Sequence, residues 1–302
     1  MPLDPELQAW RDGGTRVKVA AANGLEVFVC DLGNPKAEPD STLLVFHGFP
    51  ESSFSYHRVV DGLFTHFERV VLFDFPGYGF SDKPRTGYSY ALPKQADVAL
   101  EIWQKAGIRG GHLLGHDMGD SVATELIARE VEGSLPDWFS TGFQSYTLTN
   151  GGMVLKLADL RIMQKLLLTR FGPLLSKISN HWLFRQQVKS AHGDAPLTDL
   201  EIMRLWEMNI HNGGRTMTYL TIKYLLDRRK YEVKRWLPAL KATKLPIHIC
   251  WGQDDHVAPV AMAHHLKNEV CPAATLTLME NTGHFAQIGS PEIWTKSVLG
   301  FF

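Results

Sequence analysis

The sequence predicts an α/β fold, in which helices cover both faces of a mostly parallel sheet and a helical lid interrupts the sheet pattern. In the first half of the chain, short continuous apolar runs alternate with helical patterns, which is typical of parallel strands buried on both faces. Between residues 150 and 228 the sequence is helical and strand-free, and the strand pattern then resumes. We therefore predict one core, residues 1–149 and 229–302, with a cap inserted over residues 150–228.

Each core element has its own local signal. Arg16–Ala21 and Leu25–Leu32 flank the pair Asn23-Gly24, which strongly favours a hairpin. Apolar runs rich in β-branched residues predict the other strands, and amphipathic stretches predict the helices. The strands are Thr42–His47, Arg69–Asp74, Gly111–Gly115, Phe143–Leu148, Pro246–Trp251 and Ala274–Met279, and the helices are Ser52–Phe67, Pro93–Ala106, Met118–Val131, Val260–Glu269 and one from Pro291.

Composition and charge exclude several classes of function. The 302 residues carry 31 basic and 32 acidic side chains, so the net charge of −1 gives no electrostatic case for nucleic acid or an anionic membrane. No apolar run approaches the roughly 20 residues of a membrane span, and the N-terminus does not resemble a secretory signal. Three scattered cysteines predict neither disulfides nor a metal site. We expect a cytoplasmic protein without cofactor or metal, either a monomer or a homodimer.

The segment GHLLGHDMGD predicts a nucleophile at the junction of a strand and a helix. Gly115 and Gly119 stand two residues before and two after Asp117, which is the G-x-nucleophile-x-G pattern of a tight elbow. A Cβ at either glycine would clash in so sharp a turn. The central side chain then projects from the carboxyl edge of the sheet. The alternative is that Asp117 merely caps the helix that starts at Met118.

An attacking carboxylate needs a base that activates water and an acid that orients the base. Such sites carry the three in the order nucleophile, acid, histidine. His284 follows the last predicted strand, in NTGHFAQIGSPE, and a surface loop histidine is the alternative interpretation. The spacing G-x-x-D-x-x-x-P in CWGQDDHVAP selects Asp255 as the acid, with Asp254 as the second choice.

Backbone N–H groups near Asp117 are expected to hold the negative charge that develops during attack. The sequence His47-Gly48-Phe49-Pro50 follows the strand ending at His47, so the Phe49 N–H is one candidate donor. The N–H of Met118, directly after the nucleophile, is the other. An ordinary His-Gly turn is the alternative.

Together the segments HGFPESS, DFPGYGFSDKP, GHDMG, GQDDHVAP and GHF resemble the α/β-hydrolase subfamily of epoxide hydrolases and haloalkane dehalogenases. The general layout also resembles the mesoderm-specific-transcript-like hydrolases. The resemblance covers the core, about residues 20–150 and 235–302, whereas the lid matches poorly. It implies an α/β-hydrolase fold, with Asp117 as nucleophile, His284 as base, Asp255 as orienting acid, and the Phe49 and Met118 N–H groups as oxyanion donors.

Within the subfamily, the resemblance favours an epoxide hydrolase. Haloalkane dehalogenases typically hold the halide with a Trp directly after the nucleophile and a Trp or Asn after the HG pair, and fluoroacetate dehalogenases place an Arg after the nucleophile. Here these positions are Met118 and Phe49, whose side chains donate nothing. The substrate is then expected to be a small apolar epoxide, with water as co-substrate. A dehalogenase, or a binding protein that has lost its chemistry, stays as the alternative.

Epoxide hydrolases use lid phenols to protonate the opening ring. The resemblance predicts one of them about thirty residues before the acid, which selects Tyr224, and Tyr219 is the nearby second choice. Five residues along a helix turn the side chain by about 500°, so only one of the two should face the site. The position of the first phenol, around Ile162–Lys165, has no tyrosine. Two alternatives follow: His181 or Trp182 substitutes for it, or the site runs on one donor. Packing in the core is the alternative role of either tyrosine.

Overall fold

An eight-stranded sheet forms the centre of the computed structural model, which describes residues 3–302. The order of its strands is β1-β2-β4-β3-β5-β6-β7-β8. The two edge pairs β1–β2 and β2–β4 are antiparallel, and all the other neighbours are parallel. The strands are β1 Thr15–Val19, β2 Leu25–Gly33, β3 Thr42–Phe46, β4 Arg69–Phe73, β5 Gly110–His116, β6 Gly142–Thr149, β7 Ile247–Gly252 and β8 Thr275–Met279.

Helices pack on both faces of this sheet, as the sequence predicts. One face carries α3, α4, α11 and α12 over one apolar cluster, and α1, α2 and α14 share a second cluster on the opposite face. The helices are α1 Pro5–Gly13, α2 Val60–Leu63, α3 Leu92–Lys105, α4 Met118–Val131, α5 Ile162–Leu167, α6 Gly172–Ile178, α7 His181–His192, α8 Asp199–Ile210, α9 Thr218–Thr221, α10 Tyr224–Tyr231, α11 Leu237–Ala242, α12 Val260–His265, α13 Ala286–Gly289 and α14 Pro291–Leu299.

Two predicted elements differ from the structure. The single helix over Ser52–Phe67 is wrong: the segment forms a short 3-10 helix, Ser53–Tyr56, followed by α2. There the Asp74 carboxylate takes the Ser53 N–H at 2.7 Å, so a distant side chain competes with helical bonding. The β1–β2 hairpin is present, but a 3-10 turn over Ala20–Ala22 makes its loop longer than the pair Asn23-Gly24 alone.

The segment from α5 to α10 contains no strand and lies between β6 and β7. Its helices α7 and α8 form a small apolar cluster with Phe285 and Ile288, which are close to His284 in sequence. The predicted end of the insertion at residue 228 falls inside α10, which runs to Tyr231. Among residues 3–302, no helix is both long and apolar enough to cross a bilayer.

Candidate active site

The predicted site residues converge at the carboxyl ends of the parallel strands. Asp117 follows β5 directly, and Phe49 lies three residues beyond the end of β3. Asp255 and His284 stand in the loops after β7 and β8. Because these strands are neighbours and parallel, their ends meet at one edge of the sheet, which is where open α/β sheets bind ligands.

Asp117 adopts a strained backbone conformation, with φ 46° and ψ −108°. Such a geometry costs on the order of 1–3 kcal/mol in a residue other than glycine, and it recurs at functional sites. The flanking glycines permit it, since a Cβ on Gly119 would lie 2.7 Å from the Phe46 carbonyl oxygen. The Asp117 side chain makes no capping hydrogen bond to α4, so the helix-cap alternative is wrong.

The Asp117 carboxylate is 2% exposed and has a donor on each oxygen. The Phe49 N–H donates to Oδ2 at 3.0 Å, and Arg228 Nη2 lies 3.3 Å from Oδ1. Burial alone would raise the pKa of Asp117. The charge of Arg228, together with those of two nearby histidines and the Phe49 hydrogen bond, holds the pKa below its ordinary value. The carboxylate is therefore ionised at neutral pH, as a nucleophile has to be.

Arg228, on α10, is a buried cation that sequence reasoning missed. Its Nη2 also donates to the Asp117 carbonyl oxygen at 2.7 Å, and its Nε donates to Ser121 Oγ at 2.8 Å. Gly152 leaves room for the guanidinium, because a Cβ there would lie 2.4 Å from Nη1. The guanidinium carbon also stands 4.7 Å from the centre of the Tyr224 ring, in cation–π geometry. Arg228 thus ties the lid to the nucleophile elbow.

His284 is buried and pairs with Asp255, so it is not a surface loop histidine. Its Nδ1 lies 2.8 Å from Asp255 Oδ2. The other carboxylate oxygen accepts the Val257 and Ala258 N–H groups at 2.6 and 2.8 Å, and Asn150 Nδ2 donates to Oδ2 at 2.7 Å. These donors hold the carboxylate in place against the imidazole. The second choice, Asp254, is partly exposed, and its backbone N–H bonds to the Thr282 carbonyl instead.

The electrostatic surroundings of His284 favour its protonated form. Burial alone would lower its pKa. The charge and hydrogen bond of Asp255, with the charges of Asp117 and Glu51, outweigh burial and raise the pKa to about 9. At neutral pH both nitrogens of the imidazole are therefore protonated, and the negative charge of Asp117 is one of the causes.

A second buried acid–histidine pair, Glu51 and His116, lies beside the first. Glu51 Oε2 is 3.1 Å from His116 Nε2, and Gln287 Nε2 donates to Glu51 Oε1 at 2.8 Å. Burial would neutralise both groups, but their mutual attraction lowers the pKa of Glu51 and raises that of His116. The His116 and His284 rings lie 5.2 Å apart, so this pair adds to the field around the triad.

A cleft with about 520 Å³ of empty space opens beside Asp117 and His284. Its walls are mainly apolar, as is usual for sites that bind small molecules. A neighbouring cleft of about 510 Å³ runs on under the lid. The two clefts share six lining residues, so they form one elongated site: Phe49, Pro50, Met163, Gln164, Phe184 and Gln187.

The lid residues expected to donate a proton occupy very different positions. Tyr224 is 1% exposed and packs on Phe49, with their ring centres 5.5 Å apart. Tyr219 lies against α6, where its N–H bonds to Ser176 Oγ at 3.1 Å. Trp182 is 67% exposed, and His181 is exposed beside Trp206. None of these four side chains lines the cleft, and His181 and Trp182 are exposed as well, so the expectation that one of those two replaces the first phenol is wrong.

Met118 is the first residue of α4, where N–H groups have no partner within the helix. Its side chain turns away, and Met118 Sδ accepts the Tyr78 O–H at 3.1 Å. Tyr78, in the segment DFPGYGFSDKP, is a second buried phenol, and it was assigned no role from the sequence. Burial is the main cause of its raised pKa, and the neighbouring Tyr224 and Asp117 raise it further. The ring centres of Tyr78 and Phe49 are 6.4 Å apart.

Comparison with known proteins shows the family to which the chain belongs. A family model described as the alpha/beta hydrolase fold matches residues 41–291. The chain is 33% identical to LipZ of Mycobacterium tuberculosis, over 98% of this chain and 97% of that protein. It is 30% identical to the human mesoderm-specific transcript homolog protein, over 99% and 88% of the two chains.

Solved structures show the same fold at lower identity. A bromoperoxidase from Bacillus anthracis superposes with a TM-score of 0.74 at 14% identity, over 95% of this chain and 99% of that one. The epoxide hydrolase CorEH superposes with a TM-score of 0.71 at 20% identity, over 96% and 98%. The chain therefore belongs to the α/β-hydrolase fold family and is a hydrolase of that superfamily.

Proposed function

We propose that this hydrolase opens an epoxide to a vicinal diol through a covalent ester on Asp117. The observation that carries the proposal is the buried, ionised carboxylate at the elbow, where other hydrolases of the family place a serine. It lines the same cleft as His284. A carboxylate attacks an alkyl carbon readily, and the ester that results still needs a base for its hydrolysis.

In the first step Asp117 Oδ1 attacks a ring carbon of the epoxide. The new bond is Oδ1–C, and the bond that breaks joins this carbon to the ring oxygen, which takes a proton from a phenol. Oδ2 stays on the Phe49 N–H, which leaves Oδ1 as the attacking oxygen. The contact from Arg228 to Oδ1 is long at 3.3 Å, so it supports the charge without tightly holding the attacking lone pair.

In the second step His284 removes a proton from water, which attacks the Asp117 carboxyl carbon. Esterification has removed the negative charge of Asp117, one of the charges that raise the His284 pKa to about 9. The pKa therefore falls once the ester forms, so His284 releases its extra proton to solvent and can then act as a base. The tetrahedral oxyanion on Oδ2 is held by the Phe49 and Met118 N–H groups. The bond between the carboxyl carbon and Oδ1 then breaks, and Oδ1 leaves with the diol. Of the two protons of the attacking water, one passes from His284 to this departing oxygen. The other leaves the new carboxyl group through solvent and restores the phenol.

Epoxide chemistry is favoured over halide displacement by the residues around Asp117. A departing halide needs hydrogen-bond donors, and neither the Phe49 nor the Met118 side chain supplies one. An opening epoxide needs a proton instead. Burial, with the Asp117 charge as a second cause, raises the pKa of Tyr224, so this phenol is protonated throughout the neutral range. Tyr224 packs behind Phe49, and we propose that its O–H reaches the substrate when the lid adjusts around it.

A panel of epoxides and haloalkanes, assayed for diol and for released halide, tests the proposal. We expect diol from epoxides and no halide. Tyr224→Phe should lose about 10²-fold or more in epoxide turnover, which is the contribution of a positioned acid. The loss should appear in ester formation, measured by rapid mixing, and not in ester breakdown.

Tyr219→Phe is the matched control, because Tyr219 is a lid phenol that packs on α6 and should retain wild-type rates. Loss in Tyr219→Phe with none in Tyr224→Phe would move the proton donor to the neighbouring phenol. Halide release from haloalkanes, with neither tyrosine important, would contradict the epoxide assignment.

Arg228→Met is expected to change the pH dependence of ester formation. Because Arg228 lowers the Asp117 pKa, its removal should raise that pKa, and a protonated Asp117 cannot attack. The acid limb of kcat/KM should therefore move to higher pH. A charge-assisted hydrogen bond is worth about 1.5–3 kcal/mol, so the loss on this limb should be roughly ten- to hundredfold. It should shrink as the pH rises.

Arg229→Met is the control for this change, since Arg229 is the exposed neighbour of Arg228 on the same helix. Arg228→Lys should restore part of the wild-type profile because it restores the charge. An equal loss at every pH would instead assign Arg228 a purely structural role.

A further inference from the structure

The outer surface of the lid carries large apolar side chains that the fold does not cover. They lie on three consecutive helices, α5 to α7, and Ile162 and Trp182 are 76% and 67% exposed. Single exposed apolar residues are common, whereas a cluster marks an interaction surface. We call this cluster the lid patch, and its members are Ile162, Leu166, Phe171, Leu174, Ile178 and Trp182.

The helices of the lid patch are apolar on two sides, and only one side serves the core. In α5, Met163 lines the cleft and Leu167 is buried, while Ile162 and Leu166 point outward. In α6, the outward residues Leu174 and Ile178 are again four apart, one turn of a helix. Packing within the chain explains the apolar residues that face the core or the cleft. The apolar residues that point outward have no packing partner among residues 3–302.

Basic residues predominate in the part of the sequence that carries the lid patch. Residues 160–193 contain six basic side chains and no acidic one, although the whole chain has a net charge of −1. Two of the six, Arg185 and Lys189, pair with Asp199, and Arg161 pairs with Asp159. The other three are exposed, and they lie on α5, on α6 or between the two: Lys165, Arg170 and Lys177.

The lid patch also borders the way into the cleft. An outer groove between α5 and α7 is lined by Ile162, Lys165 and Leu183. Met163 and Gln187 line both this groove and the cleft that contains Asp117. The outer groove, next to the lid patch, and the cleft that contains Asp117 therefore lie side by side, separated by these shared side chains.

We propose that the lid patch docks on the surface of an anionic lipid bilayer, and that the substrate enters the cleft from the lipid phase. The substrate class then follows: an epoxide carried on an apolar chain that dissolves in membranes. This second half rests on the proposed function. Apolar side chains that insert at the interface, a Trp beside them and a surround of Lys and Arg are the features that hold helices on such surfaces. A second copy of the chain fits less well, because a two-fold contact would bring the same cations face to face.

Vesicle flotation without substrate tests the docking step. The wild-type chain should bind vesicles of equimolar phosphatidylcholine and phosphatidylglycerol more tightly than vesicles of phosphatidylcholine alone, and salt should weaken the binding. Lys165→Gln with Lys177→Gln should weaken it by about 25-fold, since each basic residue near an anionic surface contributes about fivefold. Leu174→Ser with Ile178→Ser should abolish detectable binding. Thermal melting checks that each variant is folded.

Lys241→Gln with Lys244→Gln is the matched charge control, because both lysines are exposed on the core. Ile293→Ser, an exposed apolar residue on α14, is the matched apolar control. Both should bind vesicles as the wild type does. Docking would be refuted if the wild type does not bind anionic vesicles, or if the control variants lose as much vesicle binding as the lid variants. It would also be refuted if light scattering shows a dimer that Leu174→Ser dissociates.

The substrate half has its own readout. The quantity to measure is the rate of hydrolysis of an apolar epoxide dissolved in vesicles, divided by the rate for a water-soluble epoxide. This ratio should fall in the lid variants and stay constant in the control variants. An unchanged ratio would refute entry from the lipid phase. If the wild type binds vesicles but hydrolyses no epoxide, the proposed function fails while docking stands.

Discussion

His284→Gln is expected to form the ester on Asp117 and then to stop. Attack by the carboxylate does not require the imidazole, whereas hydrolysis of the ester requires a base that Gln cannot provide. After incubation with an epoxide, mass spectrometry should find the mass of the substrate added to the peptide that contains Asp117. Turnover should fall by about 10⁴-fold or more, the scale on which removal of one catalytic residue acts.

His264→Gln is the control, because His264 is exposed on α12. This variant should turn over substrate at the wild-type rate, and no ester should accumulate on its Asp117 peptide. The double variant with Asp117→Asn should lose the label, which assigns it to this carboxylate. A His284→Gln protein that binds substrate but neither turns over nor becomes labelled would argue against a covalent intermediate.

Asp255→Asn is expected to cost about 10⁴-fold in turnover, the effect of replacing an orienting acid by its amide. The reason lies in the donors around the side chain. Two N–H groups point at Oδ1, so the amide oxygen must stay there. The amide nitrogen then takes the place of Oδ2 and donates to His284 Nδ1. The imidazole is forced to carry its proton on Nε2, where it cannot act as a base.

The same change at Asp254 should have little effect, because Asp254 is partly exposed and lies outside this network. Asn150→Ala should be intermediate: it removes one donor to Asp255 but leaves the acid. Ester formation and breakdown measured separately should place the Asp255→Asn loss in breakdown. A larger loss at Asp254 than at Asp255 would show that the spacing argument selected the wrong acid.

The core and the triad could be predicted because their signals are local. Parallel strands buried on both faces are continuous apolar runs, and the elbow is marked by glycines two residues either side of Asp117. Arg228 could not be predicted this way. It stands 111 positions from Asp117, and in the run DRRK it resembles a solvated helix face. The available signal was its spacing of four from Tyr224, which puts both on one side of α10.

The net charge of the whole chain concealed the basic region that carries the lid patch. A net charge of −1 describes the whole protein, while the thirty-four residues 160–193 carry only positive charge. The N-terminal helix α1 was also missed, although it has a local start signal, since Asp4 caps it and Pro5 is its first residue. Its position depends on lid residues, since Arg204 on α8 pairs with Asp4 at 3.1 Å and with Glu6 at 3.0 Å. No local pattern reports such a partner two hundred residues away.

The contact between Gly152 and the guanidinium of Arg228 limits how this enzyme can be recombined. Gly152 sits just after β6, whereas Arg228 arrives from the other end of the inserted segment. A chimera with a junction inside the inserted segment would inherit one of these two positions and lose the other. An Ala at 152 would push the guanidinium off the Asp117 carbonyl, and a lid without the arginine would leave a hole above Ser121. Both ends of a graft must therefore be exchanged together, with the junctions placed before residue 150 and after α10.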